Sequence, residues 1–365
     1  MEGKHDFDIY VGGKIGSFKG ISINIDDQNI KPIVKNIQNL DVLTKGHEIT
    51  TLAWGDSEEL DVLIGLASQK VKIYDTDFKA FTSSVDVNCG SGKICGLSRF
   101  RSVLVTAVES GHVKVWNTEK SESIIETGSS IEKMRHSAIN TDTIATGGKE
   151  NDLALFNLET KECTFKAKNV RPDMLQLRVP VWVSDMDFLP GGSKVAVCTR
   201  YGHVRLYDPS TPQKRPVISM DIPEQALTAL AVTSRDHHVV VGSGKGKMML
   251  VDLRKKGSVV QHYKGAVGAI KSIACHKTEP YLVSVGLDRN LLIHNLNSKD
   301  LIRKMYLKAR LNSVLLHSNA FINVVDKPVV KEEDDIQIIE DDYDELFDSM
   351  ETIHETSPRK KCKIK

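Results

Sequence analysis

The chain has 365 residues, 40% of them hydrophobic, and a formal net charge of +1. No run reaches the roughly 18 apolar residues of a membrane helix, and the N-terminal stretch is not apolar, so we expect neither a membrane span nor a signal peptide. The six cysteines form no CxxC pair, which favours reduced thiols in a reducing compartment. Residues 320–365 carry a net charge of −6 and the remainder +7, which suggests anionic partners for the body of the chain.

Seven copies of a short hairpin pattern follow one another along the chain. Each copy is an apolar, β-rich run, a tight polar turn and a second run that ends in Asp, Asn or Ser. The copies begin at Ile9, Val62, Val103, Ile144, Val195, Val239 and Tyr281. The residues that precede the closing polar residue are 53, 42, 40, 51, 44 and 43 positions apart. A lone hairpin is marginally stable, so the copies must pack together.

A period of about 40–45 residues that closes on an aromatic–Asp/Asn pair is typical of WD-repeat β-propellers, which have four strands per blade. We therefore predict an all-β, seven-bladed WD-repeat β-propeller over residues 6–318. The pattern is degenerate, since only Gly46-His47 keeps the Gly-His pair and only Asp288 keeps the acidic turn residue. We expect Asp288 to fix its own turn by accepting hydrogen bonds from nearby backbone N–H groups.

The two ends of the repeat region complement each other. Six hairpins are preceded by a further strand-like run, whereas the first is not. One spare run, Leu311–Leu316, follows the last repeat and resembles those inner runs. We predict that it completes the N-terminal blade, because circular closure removes the exposed sheet edges that favour aggregation.

Two of the spacings are about ten residues longer than the others, and the second marks a candidate binding segment. The extra length at residues 26–43 is interpreted as loop. The other, KAKNVRPDMLQLRVPVW at residues 166–182, is basic, contains two prolines and joins the fourth repeat to the fifth. In a propeller such a crossover opens on the same face as the hairpin turns, where basic residues recur. Ordinary solvated turns are the alternative for any single residue; for the set, we predict a partner- or rRNA-binding face. Its main patch comprises Lys149, Glu150, Asn151, Lys168, Asn169, Arg171 and Arg178, with Arg200, Lys245 and Arg289 around the rim.

After the repeats, residues 319–365 are predicted to form a disordered tail. Within its acidic stretch, Leu346, Phe347 and Met350 have helical spacing, so a short partner-binding helix over residues 343–354 is an alternative to a plain disordered tail. The basic end is interpreted as a nuclear localisation signal or a nucleic-acid arm, with a solvated terminus as the alternative. Its cationic residues are Arg359, Lys360, Lys361, Lys363 and Lys365.

No stretch has the pattern of a catalytic, cofactor or metal site. Residues 242–247 (GSGKGK) lack the spacing and the Ser/Thr of a phosphate-binding loop, and a strand-like run follows them. Glu109, Ser110 and His112 share one turn without an arrangement that orients a triad. We expect no enzymatic activity, no cofactor and no metal.

Several stretches are more specific than generic WD repeats: IATGGKEN, the segment 166–182, VRLYDPSTPQKRPV, VGLDRNLLIH, KMYLKARLNSVLL and DELFDSME. Together they resemble the WD-repeat-containing protein 74 family, whose fungal counterpart is called Nop-seven-associated protein one.

The resemblance implies a non-catalytic factor of ribosome biogenesis, and we expect the chain to be a monomer. Such a factor acts in the nucleus, in the nucleolus, on pre-60S particles with other assembly factors and ribosomal RNA, and contributes to rRNA processing. The resemblance further implies release by an AAA-type remodelling ATPase and a link to the RNA helicase of the exosome. The alternative from a different class is a generic WD-repeat adaptor, either a ubiquitin-ligase substrate receptor or a chromatin reader.

Overall fold

In the computed structural model, residues 7–23, 32–39, 43, 45–116, 123–172, 174–254 and 256–320 are described. Within these ranges the strands form seven four-stranded antiparallel sheets, which are the blades of a seven-bladed β-propeller. The predicted fold class is confirmed. A short 3-10 helix, Lys45–His47, precedes the second blade. None of the described helices is long and apolar enough to cross a membrane.

Blade 1 begins with β1 (Ile9–Gly13), β2 (Phe18–Ser22) and β3 (Ile33–Asn36). The strands of the other blades are given from the inner to the outer strand. Blade 2 consists of β4 (Ile49–Trp54), β5 (Asp61–Leu66), β6 (Lys70–Asp75) and β7 (Ala80–Asp86), and blade 3 of β8 (Ile94–Phe100), β9 (Val103–Val108), β10 (His112–Val115) and β11 (Ser123–Glu126). Blade 4 consists of β12 (Ile131–His136), β13 (Thr143–Gly148), β14 (Asn151–Asn157) and β15 (Cys163–Lys166). Blade 5 consists of β16 (Val183–Phe188), β17 (Val195–Thr199), β18 (His203–Tyr207) and β19 (Ile218–Asp221). Blade 6 consists of β20 (Leu227–Val232), β21 (His238–Ser243), β22 (Met248–Asp252) and β23 (Ser258–Tyr263). Blade 7 consists of β24 (Ile270–Cys275), β25 (Tyr281–Gly286), β26 (Asn290–Asn295) and β27 (Leu301–Tyr306).

The last strand, β28 (Leu311–Leu316), closes the ring. It pairs antiparallel with β1, with Tyr10 opposite Leu315 and Val11 opposite Val314, and so becomes the inner strand of blade 1. The predicted closure by the C-terminal strand is therefore confirmed. Because β28 covers it, β1 has no open hydrogen-bonding edge.

One expectation is corrected at the first long spacing. The stretch 26–43 was interpreted as loop, but its described part contains β3, the outer strand of blade 1. All four residues of β3 are exposed, and the sequence IVKN is too short to show an alternating pattern. A strand that packs on neither face has no periodic signal, so its pairing with β2 is what defines it.

The core lies between adjacent blades. Leu206 and Val204 of blade 5, for example, pack with Leu230 and Val241 of blade 6 in one fully buried cluster. The middle strands are apolar on both faces because each blade is covered on both sides. This explains why the central strand pairs of most repeats are near-continuous Val, Leu, Ile and Ala runs.

Each inner strand has an irregularity near its beginning. In all seven, the strand pairing shifts between the first and third residues, so the second residue has no partner in register. A β-bulge of this kind turns the side chain of the extra residue in a new direction. These second residues surround the central channel at one end of the propeller.

Candidate binding face

The alternation of antiparallel strands places two kinds of connection at the same end of the propeller. These are the turns between the second and third strands of each blade, and the crossovers from an outer strand to the next inner strand. We call this end the hairpin-turn face. The insertion (residues 166–182) is the crossover from β15 to β16 and therefore lies on it, as the sequence predicted.

The centre of the candidate site is Trp182, at the end of the insertion. The Nζ atom of Lys149 lies 5.2 Å from the centroid of its ring and the Cζ atom of Arg200 lies 5.1 Å from it. The indole Nε1 donates to Glu132 Oε1 at 3.2 Å, and Glu132 Oε2 lies 3.7 Å from Arg200 Nη2. Cation–π contacts of this kind contribute about 0.5–2 kcal/mol each. The structure thus joins Lys149 and Arg200 in one cluster, although the sequence had placed Arg200 on the rim.

Glu150 connects the hairpin turn of blade 4 to the insertion. Its backbone lies in the left-handed region (φ 54), and its N–H donates to Val181 O at 3.0 Å. Its carboxylate lies 3.5 Å from Arg178 Nη2, and both side chains are largely exposed. An exposed pair contributes at most about 1 kcal/mol, so Glu150 and Arg178 remain accessible to a partner.

The side chain of Asn169 forms hydrogen bonds within the insertion. Its Nδ2 donates to Val179 O at 2.6 Å, and its Oδ1 accepts from Val170 N at 2.8 Å. The buried Arg205 also donates to Oδ1, at 3.4 Å, and Arg215 donates to the Asn169 carbonyl at 3.1 Å. Both functions of the amide are therefore occupied. They hold the beginning and end of the insertion together, while the predicted contact of Asn169 with a partner stays a prediction.

The middle of the insertion presents basic and apolar side chains to solvent. Lys168 and Arg171 are exposed, and neither side chain forms a hydrogen bond or ion pair with any described residue. Met174, Leu175 and Leu177 are 101%, 77% and 60% exposed. Apolar side chains next to cationic groups are typical of a protein or nucleic-acid interface rather than of a solvated loop.

The remaining predicted site residues lie outside this cluster. Asn151 is half-buried and donates to Thr127 O of blade 3 at 3.2 Å, which links two blades. Lys245 is exposed in the turn of blade 6. Arg289 is exposed in the turn of blade 7, where it donates to the hydroxyl of Tyr306 at 3.2 Å. The neighbouring Asp288 accepts from Asn290 N at 3.3 Å, as expected for a residue that fixes its own turn.

The predicted tail, residues 319–365, belongs to the described part of the chain only up to residue 320. Leu346, Phe347 and Met350 of the partner helix, and Arg359, Lys360, Lys361, Lys363 and Lys365 of the basic end, all lie outside the described residues.

A second feature of the same face, the mouth of the central channel, was not predicted from the sequence. It is a cavity of about 140 Å³ lined by the bulged second residue of every inner strand. Those seven residues are Thr50, Cys95, Glu132, Ser184, Thr228, Lys271 and Asn312. Lys93, Lys133, Arg200 and Glu48 complete the polar lining. The signal in the sequence was a polar residue directly after the first apolar residue in six of the seven inner runs, Cys95 being the exception. This pattern can be interpreted only once the ring is known.

Burial affects the charges in this mouth. It lowers the pKa of Lys271, and the nearby Arg200 and Lys93 lower it further. Burial also lowers the pKa of Lys133, although Asp185 opposes the shift. Burial raises the pKa of the Cys95 thiol to about 12, so this cysteine stays protonated and unreactive.

Neither a metal site nor an oriented catalytic triad is found among the described residues of this face. Among the described residues, no group of three or more His, Cys, Asp or Glu side chains could hold a metal ion. Ser110 Oγ lies 2.8 Å from His112 Nδ1, but no described carboxylate orients the imidazole as a triad would require.

Comparisons with known proteins agree with the resemblance seen in the sequence. The chain is 35% identical over 352 residues to WD repeat-containing protein 74 of Homo sapiens, covering 94% of this chain and 89% of the human protein. The Mus musculus protein of the same name is 35% identical over 316 residues, covering 84% and 80%. Ribosome biogenesis protein nsa1 of Schizosaccharomyces pombe is 28% identical over 251 residues, covering 60% of this chain and 62% of that protein. No family model matches the sequence. The extent of the similarity to the human and mouse proteins shows that the chain belongs to the WD repeat-containing protein 74 family.

Proposed function

We propose that this chain is a non-catalytic ribosome biogenesis factor that serves as a docking platform in precursors of the large ribosomal subunit. The observation that carries the proposal is the similarity along nearly the whole chain to WD repeat-containing protein 74, together with the similarity to fungal proteins named for ribosome biogenesis. A rigid, closed ring with one basic, partly apolar face suits such a role, because a platform must hold its contact residues in fixed positions.

The contacts on the hairpin-turn face support this role physically. Trp182 and Asn169 fix the ends of the insertion, so its middle presents Lys168, Arg171 and Arg178 at low entropic cost. Arginine pairs with carboxylates or phosphates through two parallel hydrogen bonds, and lysine acts as a mobile point charge. The face can therefore contact ribosomal RNA phosphates directly and contribute to rRNA processing by holding the precursor in a defined arrangement.

From the family resemblance we also propose that the chain is located in the nucleus and nucleolus and associates there with other assembly factors of the pre-60S particle. We further propose that an AAA-type ATPase releases it and that it is linked to the exosome RNA helicase. The basic terminal cluster, Arg359 to Lys365, would direct nuclear import. Replacing its five cations by glutamine in a fluorescent fusion is expected to abolish nuclear accumulation; unchanged nuclear signal would exclude that role.

Tagged purification of the intact chain tests the proposal. The eluate is expected to contain precursors of the large-subunit rRNA, assembly factors and an AAA-type ATPase. A matched chain with Trp182→Ala, which removes the support of the insertion, should recover less of this material. An eluate without ribosomal precursors, or with subunits of a ubiquitin ligase instead, would overturn the proposal.

The generic adaptor is kept as a second candidate because of the channel mouth. Adaptors of this fold bind short peptides over the central channel, and a cavity of about 140 Å³ lies there. The two candidate functions differ in whether they require the exposed cations of the insertion. A ribosome assembly factor needs Lys168, Arg171 and Arg178, whereas a peptide-binding adaptor without ribosomal function would tolerate their loss.

A further inference from the structure

The channel mouth has an excess of cationic groups over anionic ones. Four cationic side chains line it, namely Lys93, Lys133, Arg200 and Lys271, and two carboxylates, Glu48 and Glu132. These six side chains come from five different blades. Glu48 precedes β4, Lys93 precedes β8, Glu132 and Lys133 belong to β12, Arg200 lies in the turn after β17, and Lys271 belongs to β24. The charge is thus a property of the assembled ring and not of any one segment.

Both carboxylates already have partners. Glu132 accepts from the indole of Trp182 and pairs with Arg200, and Glu48 accepts from Asn312 Nδ2 at 2.9 Å. The ammonium groups of Lys93, Lys133 and Lys271 form no hydrogen bond or ion pair with any described residue. The Nε atom of Arg200 is buried and likewise lacks a hydrogen-bond partner in the described chain. Lys93 is exposed and Lys133 and Lys271 are half-buried, so an acceptor supplied from outside can reach their ammonium groups. The Arg200 Nε is buried, and a buried donor normally has a hydrogen-bond partner.

The repulsion among these cations is the second observation. The pKa of Lys271 is lowered by burial first and then by Arg200 and Lys93. A bound anion would relieve that repulsion and accept charge-assisted hydrogen bonds, which are the stronger class.

Size decides which anion fits. Small-molecule and cofactor pockets are usually about 300–1,000 Å³, so a cavity of about 140 Å³ is too small for a nucleotide and suits the end of one side chain. The two fixed carboxylates in the mouth would also repel the continuous negative charge of an RNA backbone. A protein segment avoids this repulsion because it can place a single carboxylate among the lysines and neutral groups beside the glutamates.

From this geometry we infer that the channel mouth is a binding site for an Asp or Glu side chain of an acidic protein segment, distinct from the insertion. The carboxylate lies among Lys93, Lys271 and Arg200, and the flanking peptide crosses the hairpin-turn face beside Trp182. The inference adds a partner class to the proposed docking face and rests on that function only for the identity of the partner, not for the existence of the site.

Fluorescence anisotropy on the purified full chain tests the site. The probe is a labelled ten-residue peptide that alternates glutamate and glycine, and its control is the same peptide with glutamine. The wild-type chain is expected to bind the glutamate peptide at least tenfold more tightly than the glutamine peptide. The double variant Lys93→Gln with Lys271→Gln is expected to lose this difference. It should remain folded, because it removes charges that repel each other, and thermal unfolding checks this.

The matched control carries Lys161→Gln with Lys299→Gln, which makes the same charge change in turns on the opposite face. It should keep the tenfold preference. The inference would be overturned if the wild type bound neither peptide or bound both equally well. It would also be overturned by an equal loss in the control variant, or by preferential binding of a uridine decamer that depends on Lys93 and Lys271. The readout is independent of ribosomal association, so failure here is distinguishable from failure of the proposed function.

Discussion

Two Arg–Asp pairs of the same chemistry differ in burial and therefore in what they contribute to stability. Arg135 lies 3.1 Å from Asp185, whose side chain is 2% exposed and also accepts from Leu230 N of the next blade. Arg99 lies 2.6 Å from Asp61, and both of these side chains are 23% exposed. Loss of the first arginine leaves a charge buried without its partner, whereas loss of the second leaves one that water can reach.

Arg135→Ala should therefore lower the free energy of unfolding by about 3 kcal/mol, and Arg99→Ala by less than about 1 kcal/mol. Denaturant unfolding of the two variants beside the wild type measures both values. Similar losses in the two variants would contradict the assignment of Asp185 as a buried structural charge between blades.

His276 makes stability depend on pH. The residue is buried, and its Nδ1 accepts from Glu279 N at 2.9 Å and from Thr278 N at 3.3 Å, so this nitrogen must be unprotonated. Burial lowers the pKa of His276 below its ordinary value. The folded chain thus binds fewer protons than the unfolded chain, and stability is lost as pH falls below about 6.5.

We expect the melting temperature of the wild type to decline between about pH 7 and pH 5, and His276→Asn to reduce that decline. Asparagine can accept the same backbone N–H groups without titrating in this range. His294, whose pKa burial also lowers, accounts for part of the remaining slope. A variant with an undiminished slope would exclude His276 as a source of the pH dependence.

At the level of elements, the closing strand and its anchor determine whether the ring forms. The carboxylate of Glu59, between β4 and β5, is buried; it lies 3.0 Å from Lys277 Nζ after β24 and accepts from Ser318 N at 2.6 Å. One side chain thus joins blade 2, blade 7 and Ser318, two residues after the end of β28. Ring closure depends on this set of contacts in addition to the pairing of β28 with β1.

Deletion of residues 311–317 should prevent soluble expression, because β1 and the inner faces of two neighbouring blades would lose their cover. Truncation after residue 320 is the matched control and should remain soluble with a cooperative transition. A deletion variant that is folded and melts cooperatively would refute closure by this strand.

The sequence revealed elements in proportion to their burial. Inner strands and hairpins such as Tyr281–Leu296 were visible because both faces are covered and apolar runs result. The outer strand β3 was missed because its side chains are exposed and only its pairing with β2 defines it. The insertion was found because it breaks the period, but the internal bonds of Asn169 and the contacts of Arg200 with Trp182 depend on three-dimensional placement. The channel mouth was missed because residues from all seven inner strands, far apart in the sequence, form it.

For the whole molecule, charge on the hairpin-turn face should govern affinity for RNA. If the face contacts about four phosphates of single-stranded rRNA, the logarithm of the affinity should fall with the logarithm of salt concentration with a slope of about −3. Titrations of the full chain with an rRNA fragment at several salt concentrations give this slope. Affinity that does not change with salt would indicate a protein partner for the insertion instead.

The most direct test of the central claim is sedimentation of the chain with ribosomal precursors after removal of the exposed cations of the insertion. The account predicts that Lys168→Ala, Arg171→Ala and Arg178→Ala together shift the chain from precursor fractions to free fractions and reduce the amount of large subunits. The matched triple variant Lys79→Ala, Lys161→Ala and Lys299→Ala, in turns on the opposite face, should sediment like the wild type. An unaltered profile for the insertion variant would contradict the claim that this face docks the chain onto the assembling ribosome.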